Sequence, residues 1–273
     1  MSVYIPTRNR LPLLRRAIQS VKSQTYNNIE IIVVDDGSSD GTADYLSRLS
    51  NYGEIKAVFH KKSKGSCLAR NEAIMIASGD FITGLDDDDY FVSENRIEKF
   101  VNVWLSLEKK PAGLFDSVLV RTKSCIINRH ICSVVTYSDL KKSNAIGSQI
   151  FAPRSHYVQS GLFDPLMPAW QDWDLWLRIS FRYGQFVNIN LNSYLVDEQH
   201  DSTRITASNS GQIRSAMERL SSKLPGLTQS EKSSLLVSLM AYPQVKPTPR
   251  DLMTLLFALR LRSLFSSIRK LAS

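Results

Sequence analysis

The chain has 273 residues, 43% of them hydrophobic, which argues against disorder and suffices for one substantial core with an appendage. Its net charge of +8 is unevenly placed: residues 1–200 carry 23 Lys and Arg against 22 Asp and Glu, whereas residues 201–273 carry 11 against 4. A near-neutral body with a +7 tail is not the uniform basic coat of a nucleic-acid binder, and it gives the tail a local electrostatic task.

In chain order, Ser2–Pro6 reads as a short strand, and Leu13, Leu14, Ala17, Ile18 and Val21 recur at helical spacing after Pro12. Ile29–Val34 is a continuous aliphatic strand ending in Asp35-Asp36-Gly37-Ser38-Ser39-Asp40-Gly41, a turn that leads into a helix carrying Tyr45, Leu46 and Leu49. A third strand over Ile55–Phe59, a helix over about Ser66–Ala77 and a fourth strand over Asp80–Leu85 repeat the alternation. Beyond Ser93 the pattern predicts a helix to about Lys109, strands near 114–121, 124–127 and 131–136, and a helix over about Asp172–Arg182 with Leu175, Trp176 and Ile179 facing inward. From about Ala207 the pattern is purely helical, broken at Leu224-Pro225-Gly226 and Tyr242-Pro243, so three helices are expected. Strands with unbroken apolar runs imply an α/β fold with a mostly parallel sheet covered by helices, and such sheets bind ligands outside the carboxyl ends of their strands.

The polar motifs fall at that edge. Asp86-Asp87-Asp88-Asp89 follows the fourth strand; an isolated run of this kind is usually a solvated loop, but at a strand end its mutual repulsion is relieved by a hard divalent cation such as Mg²⁺ or Mn²⁺. Asp35 and Asp36 end a buried strand, where they could accept from a base or a ribose or simply cap the next helix. Arg70 lies near the start of a helix preceded by Gly65 and is a donor suited to phosphate, although such an arginine is more often a salt-bridge partner. Asp172 and Asp174 stand at the start of a helix, where one of them is expected to cap its N-terminus.

Together, Ile5-Pro6-Thr7-Arg8-Asn9-Arg10, Val34-Asp35-Asp36-Gly37-Ser38, Ala69-Arg70-Asn71, Leu85-Asp86-Asp87-Asp88-Asp89 and the Asp172 segment after Gly161-Leu162-Phe163-Asp164 resemble the family 2 inverting glycosyltransferases of the GT-A fold over roughly residues 2–200. The resemblance implies a catalytic domain over 1–205, with a nucleotide half to about 92 and an acceptor half over 93–205, followed by a helical region over 206–273. It also implies that Pro6, Thr7, Arg8, Asp35, Asp36, Arg70, Asp86 and Asp87 bind the nucleotide sugar, that Asp86 and Asp88 are the outer aspartates of a DxD pattern with Asp88 on Mn²⁺ or Mg²⁺, and that Asp172 is the catalytic base. Gln171 replaces the glutamate usual before that aspartate, and the Gln-x-x-Arg-Trp motif of processive members is absent. Val196–Ile205 is similar to a segment of bacterial O-antigen transferases, which implies transfer of a hexose, galactose or glucose, from a UDP-sugar to lipid-diphosphate-linked GlcNAc or GalNAc. His200 within it is a candidate metal or diphosphate ligand beside the plainer reading of a structural histidine.

A nucleotidyltransferase is the nearest rival, and the order of motifs does not favour it. A dehydrogenase would need a Gly-x-Gly-x-x-Gly turn where this chain has Thr7-Arg8-Asn9-Arg10. A basic nucleic-acid module would need an aromatic platform that the tail lacks, so no nucleic-acid partner is expected. Cys67, Cys125 and Cys132 are odd in number and lack metal-ligand spacing, which predicts buried, reduced thiols. The apolar run Leu252–Leu259 is far shorter than the roughly 20 residues of a membrane span, and no signal core opens the sequence, so a cytoplasmic location is expected. Leu261, Leu264, Phe265, Ile268 and Leu271 with Arg262, Arg269 and Lys270 form an amphipathic basic pattern, which predicts peripheral contact with the anionic inner face of the cytoplasmic membrane.

Overall fold

A computed structural model describes residues 1–129, 132–147, 149–199 and 210–257. Strands β1 (Ser2–Thr7), β2 (Glu30–Asp35), β3 (Lys56–Phe59) and β4 (Phe81–Gly84) alternate with helices α1 (Leu11–Lys22), α2 (Thr42–Asn51) and α3 (Ser66–Ile76). They pair in parallel in the order β3-β2-β1-β4. A short strand β5 (Tyr90–Phe91) and helix α4 (Arg96–Ser106) follow, then β6 (Gly113–Phe115), β7 (Val118–Arg121), β8 (Ile126–Arg129), β9 (Val134–Val135), α5 (Tyr137–Leu140), β10 (Phe151–Pro153) and α6 (Arg154–Gln159). Helix α7 (Gln171–Tyr183) precedes β11 (Phe186–Asn188) and β12 (Tyr194–Asp197), and α8 (Ser210–Ser222), α9 (Gln229–Met240) and α10 (Pro249–Phe257) complete the described chain.

The large sheet has the order β3-β2-β1-β4-β10-β6-β11-β9, with β10 antiparallel to both of its neighbours. Alternation along its buried strands splits the core in two. Tyr4, Ile32 and Val34 face α3 and α7, whose Ala69, Ala73, Trp173 and Trp176 fill that side, whereas Val3, Ile5, Ile31 and Val33 face α1 and α4. The switch in strand order between β1 and β4 opens the crevice where the acidic turn emerges. Gly84 ends β4 there because a Cβ would collide with Gln149 Oε1 and the Tyr4 ring.

The expected single strand near 114–121 is two strands in different sheets: β6 pairs with β11, and β7 joins a small sheet of order β5-β12-β7-β8. The break falls at Asp116, whose carboxylate accepts from Arg96 Nη1 at 2.8 Å and from the backbone N–H groups of Leu191, Asn192 and Ser193. Those partners lie up to 77 residues away, out of reach of local pattern. Of the cysteines only Cys67 is buried; Cys125 and Cys132 are exposed, contrary to expectation, because they flank the solvent-facing β8 hairpin strand. The three C-terminal helices occur as expected, and Ala216, Leu220 and Leu235 join the main core beside α7. Among the described residues no helix is long and apolar enough to cross a membrane. His200 and the basic pattern over 261–271 lie outside the described residues.

Candidate active site

The carboxyl ends of β1, β2 and β4 bring the predicted residues to one edge. Asn9, with a left-handed φ of 53°, zips the loop after β1 to the loop after β2: its N–H donates to Ser38 Oγ at 2.8 Å and its Oδ1 accepts from Ser39 N–H at 2.7 Å. Asp40 adds to this by accepting from Leu11 N–H at 3.0 Å and Thr42 N–H at 3.2 Å, so one carboxylate serves the starts of two helices. Pro6 is half-buried in β1, Thr7 is buried and Arg8 is exposed in the loop.

The two aspartates after β2 divide their work. Asp35 Oδ1 accepts from Ser38 N–H at 3.0 Å, and its other oxygen makes no hydrogen bond among the described residues. Asp36 is spent on the protein: it accepts from His60 Nδ1 and Ser63 Oγ, each at 2.6 Å, and from the N–H groups of Lys64 and Gly65 at 2.7 and 2.9 Å. Burial would raise its pKa, but these donors hold it below the usual carboxylate range. His60 stands between Asp36 and Glu72, with Nε2 at 2.7 Å from Glu72 Oε2; burial opposes its charge, yet the two carboxylates raise its pKa.

The acidic run is a tight turn in which each carboxylate has a different environment. Asp86 Oδ1 accepts from Arg70 Nη2 at 2.9 Å and Gln149 Nε2 at 3.3 Å. Asp87 accepts from Thr7 Oγ1 at 2.8 Å, and Arg10 Nη1 sits 3.0 Å from both Asp87 Oδ1 and Asp88 Oδ2. Burial, with repulsion from Asp88, outweighs the Arg10 charge and pushes the Asp87 carboxyl up to about 6. Asp89 turns inward, accepting from the Tyr194 hydroxyl at 2.8 Å and Asp197 N–H at 3.1 Å, and burial raises its pKa well above the ordinary value. Arg16 locks the turn from outside, donating to the Asp88 carbonyl at 2.5 Å and to Asp197 at 2.6 Å. Arg10, Arg16, Gln149 and Tyr194 had no role in the sequence reading. Only Arg10 lay in a quoted motif, and the others reach the turn from up to 108 residues away.

Arg70 joins this turn to α7. It is buried, lies over the Phe163 ring, and reaches Gln171 Oε1 at 3.4 Å as well as Asp86. Neither acidic residue at the start of α7 caps it: the helix begins after Trp170 with no side-chain cap, and Asp174 is buried against Arg178 and Lys223. Asp172 Oδ1 is buried with no hydrogen-bond partner among the described residues. Burial pushes the Asp172 carboxyl up to about 7, opposed by the charge of Arg70 and aided by that of Asp86. A carboxyl poised near neutrality with an open acceptor atom suits proton abstraction.

Glycosyl transferase family 2 matches residues 2–122, the span that carries the loops after β1 and β2 and the acidic turn. WcaA of Escherichia coli K12, whose name assigns it to colanic acid biosynthesis as a glycosyl transferase, is 31% identical over 76% of this chain and 76% of its own. WfgD of Escherichia coli, named as a UDP-Glc:α-D-GlcNAc-diphosphoundecaprenol β-1,3-glucosyltransferase, is 31% identical over 54% of this chain, which spans 57% of its length. Among solved structures, S. aureus TarS 1-349 in complex with UDP-GlcNAc superposes with a TM-score of 0.69 at 15% identity, covering 88% of this chain and 71% of that one. The mannosyltransferase PcManGT of Pyrobaculum calidifontis, in complex with GDP-Man and Mn²⁺, superposes at 0.59 with 16% identity over 98% of this chain and 83% of its own. These two share the GT-A fold with this chain. A relative alike over three quarters of both chains, joined to the family match over residues 2–122, places this chain in glycosyl transferase family 2.

Proposed function

We propose that the protein transfers a single hexose, galactose or glucose, from a UDP-sugar to a hydroxyl of lipid-diphosphate-linked GlcNAc or GalNAc, with inversion, in the synthesis of a surface polysaccharide such as O-antigen. The observation that carries this reading is Asp172, whose buried Oδ1 has no hydrogen-bond partner among the described residues and whose carboxyl burial pushes up to about 7 against the charge of Arg70 and with that of Asp86. In the reaction Asp172 Oδ1 takes the proton of the acceptor hydroxyl as the hydroxyl oxygen of the acceptor attacks the anomeric carbon from the face opposite the departing UDP, whose bond to that carbon breaks. Such assistance contributes roughly 10²–10⁴-fold.

On the donor side Asp35, with one oxygen uncommitted, accepts from the base or ribose, and Pro6, Thr7 and Arg8 line the same edge. Asp36 enters as the residue that shapes the 60–65 loop around the nucleotide. Arg70 steadies Asp86, and Asp87 fixes Thr7 and Arg10 to the turn.

The residues present fit a divalent cation. Arg10 already places a positive group against Asp87 and Asp88, and the donors are hard carboxylate oxygens. Among the described residues no group of three or more His, Cys, Asp or Glu converges on one point, so Asp86 and Asp88 would hold Mn²⁺ or Mg²⁺ together with diphosphate oxygens. When bound, the ion supplies positive charge to the departing diphosphate. PcManGT, with its Mn²⁺, supports this reading.

WfgD, named for a diphosphoundecaprenol-linked acceptor, supports the lipid acceptor. Exposed Arg250, Met253, Leu256 and Phe257 on α10 lead into the basic residues 258–273, which suits contact with an anionic membrane surface. The test is a panel of UDP- and GDP-sugars with a GlcNAc-diphosphate lipid, with and without Mn²⁺. Acceptor-dependent release of UDP from UDP-galactose or UDP-glucose is expected; consumption of nucleoside triphosphate with release of pyrophosphate would make the protein a nucleotidyltransferase instead.

A further inference from the structure

Among the described residues Asp172 Oδ1 has no hydrogen-bond partner to aim it, so the direction of the carboxylate is set by the turn that carries it. That turn begins at Trp170, whose φ of 58° is a left-handed conformation unfavourable for a bulky side chain and sustained only by its surroundings. The Trp170 carbonyl accepts from Asp174 N–H at 3.0 Å, so this residue opens the helical turn containing Gln171 and Asp172.

The surroundings of Trp170 come largely from the C-terminal helices. Its indole Nε1 donates to the Tyr242 hydroxyl at 3.0 Å, and Tyr242 stands between α9 and α10. The ring lies 4.8 Å from that of Trp173 and packs against both the main core and the separate core built by Ile213, Leu236, Leu239 and Leu255. Just beyond α8, Lys223 Nζ lies 2.6 Å from Asp174 in the same segment and 2.7 Å from Asp164 before it.

We propose that Tyr242 and Trp170 are positioning residues for sugar transfer: through their hydrogen bond the C-terminal helices hold the left-handed turn and thereby the direction of the Asp172 carboxylate. This rests on the reading of Asp172 as the base. The helical region is then part of the active-site frame, and disturbing it at this point acts on turnover. Donor binding is untouched, because the donor-side residues Thr7 and Arg10 are anchored on the acidic turn.

The test uses the full chain with UDP-galactose or UDP-glucose and a GlcNAc-diphosphate lipid, comparing Tyr242→Phe, Trp170→Phe, their combination, Thr228→Ala and Asp172→Asn. Thr228→Ala removes the capping box of α9 without touching Trp170, and so reports what a general loss of stability in these helices does. Tyr242→Phe should lower kcat about 10-fold with donor KM within about twofold, since small misplacement of a base is costly. The double variant should lose less than the sum of the two single losses, because both substitutions remove the same indole-to-hydroxyl hydrogen bond. Thr228→Ala should keep its kcat. Wild-type kcat in Tyr242→Phe, an equal loss in Thr228→Ala, or additive losses in the double variant would overturn the proposal. Near-normal turnover in Asp172→Asn would instead overturn the base assignment, whatever Tyr242→Phe does.

Discussion

Asp172→Asn should make the protein more stable and almost inactive. The carboxyl rises from its ordinary value of 3.8 to about 7 in the folded chain, which at 1.36 kcal/mol per pH unit bounds the cost of its charge at about 4 kcal/mol. The residue is partly exposed, so solvent reduces this to about 1–3 kcal/mol. Because the folded value lies above the unfolded one, the native state holds the proton more tightly. Stability is therefore lost as pH rises from about 4 to about 7 and stays constant above that. Asparagine keeps the volume and carries no charge, so the stability gain of the variant should be largest at pH 8 and smaller at pH 5. With about 2–4 °C per kcal/mol for a chain of this size, the gain at pH 8 is roughly 2–12 °C. Thermal unfolding of ligand-free wild type and variant at both pH values measures it, and transfer assays should show a loss of about 10²–10⁴-fold with UDP binding retained. A variant less stable than wild type at pH 8, or one with near-normal turnover, would refute the reasoning.

Three further outcomes follow from the same geometry. Wild-type kcat should fall about tenfold per unit below pH 7 as Asp172 gains its proton, read from a pH–rate profile at saturating substrates. Asp88→Ala, and excess EDTA on the wild type, should each abolish most transfer, and titration of Mn²⁺ into the variant should require a higher concentration for donor binding. Gly84→Ala should destabilise by about 1–3 kcal/mol in chemical denaturation, because the added methyl displaces Gln149 and Tyr4 from the end of β4.

Residues 1–92 were legible because their central strands β1 and β2 are buried on both faces. The unbroken run Ile29–Val34 and the helical spacing of Leu14, Ala17, Ile18 and Val21 admit few other readings, and β2 and α1 fall where those patterns put them. Residues 93–205 were not: β10, β11 and β12 have three or four residues each, too few for a period, and they are held by partners far along the chain. The candidate site divides the same way. Asp86, Asp87 and Asp88 announce themselves as a run after a strand. Asp172 was visible only through family resemblance, since a carboxylate at a helix start ordinarily reads as a cap. Nothing in the sequence marks Trp170 as left-handed, or tells that Asp36 would be consumed by His60, Ser63, Lys64 and Gly65.

The anomeric configuration of the product tests the proposed chemistry most directly. A UDP-sugar labelled with ¹³C at the anomeric carbon is incubated with the full-length protein, Mn²⁺ and a GlcNAc-diphosphate lipid, and the product is read by NMR. Direct displacement assisted by Asp172 predicts a β-linked sugar from the α-linked donor, one UDP released per linkage, and formation of this product slowed about 10²–10⁴-fold in Asp172→Asn. An α-linked product, or a β-linked one formed at the wild-type rate by Asp172→Asn, would contradict it.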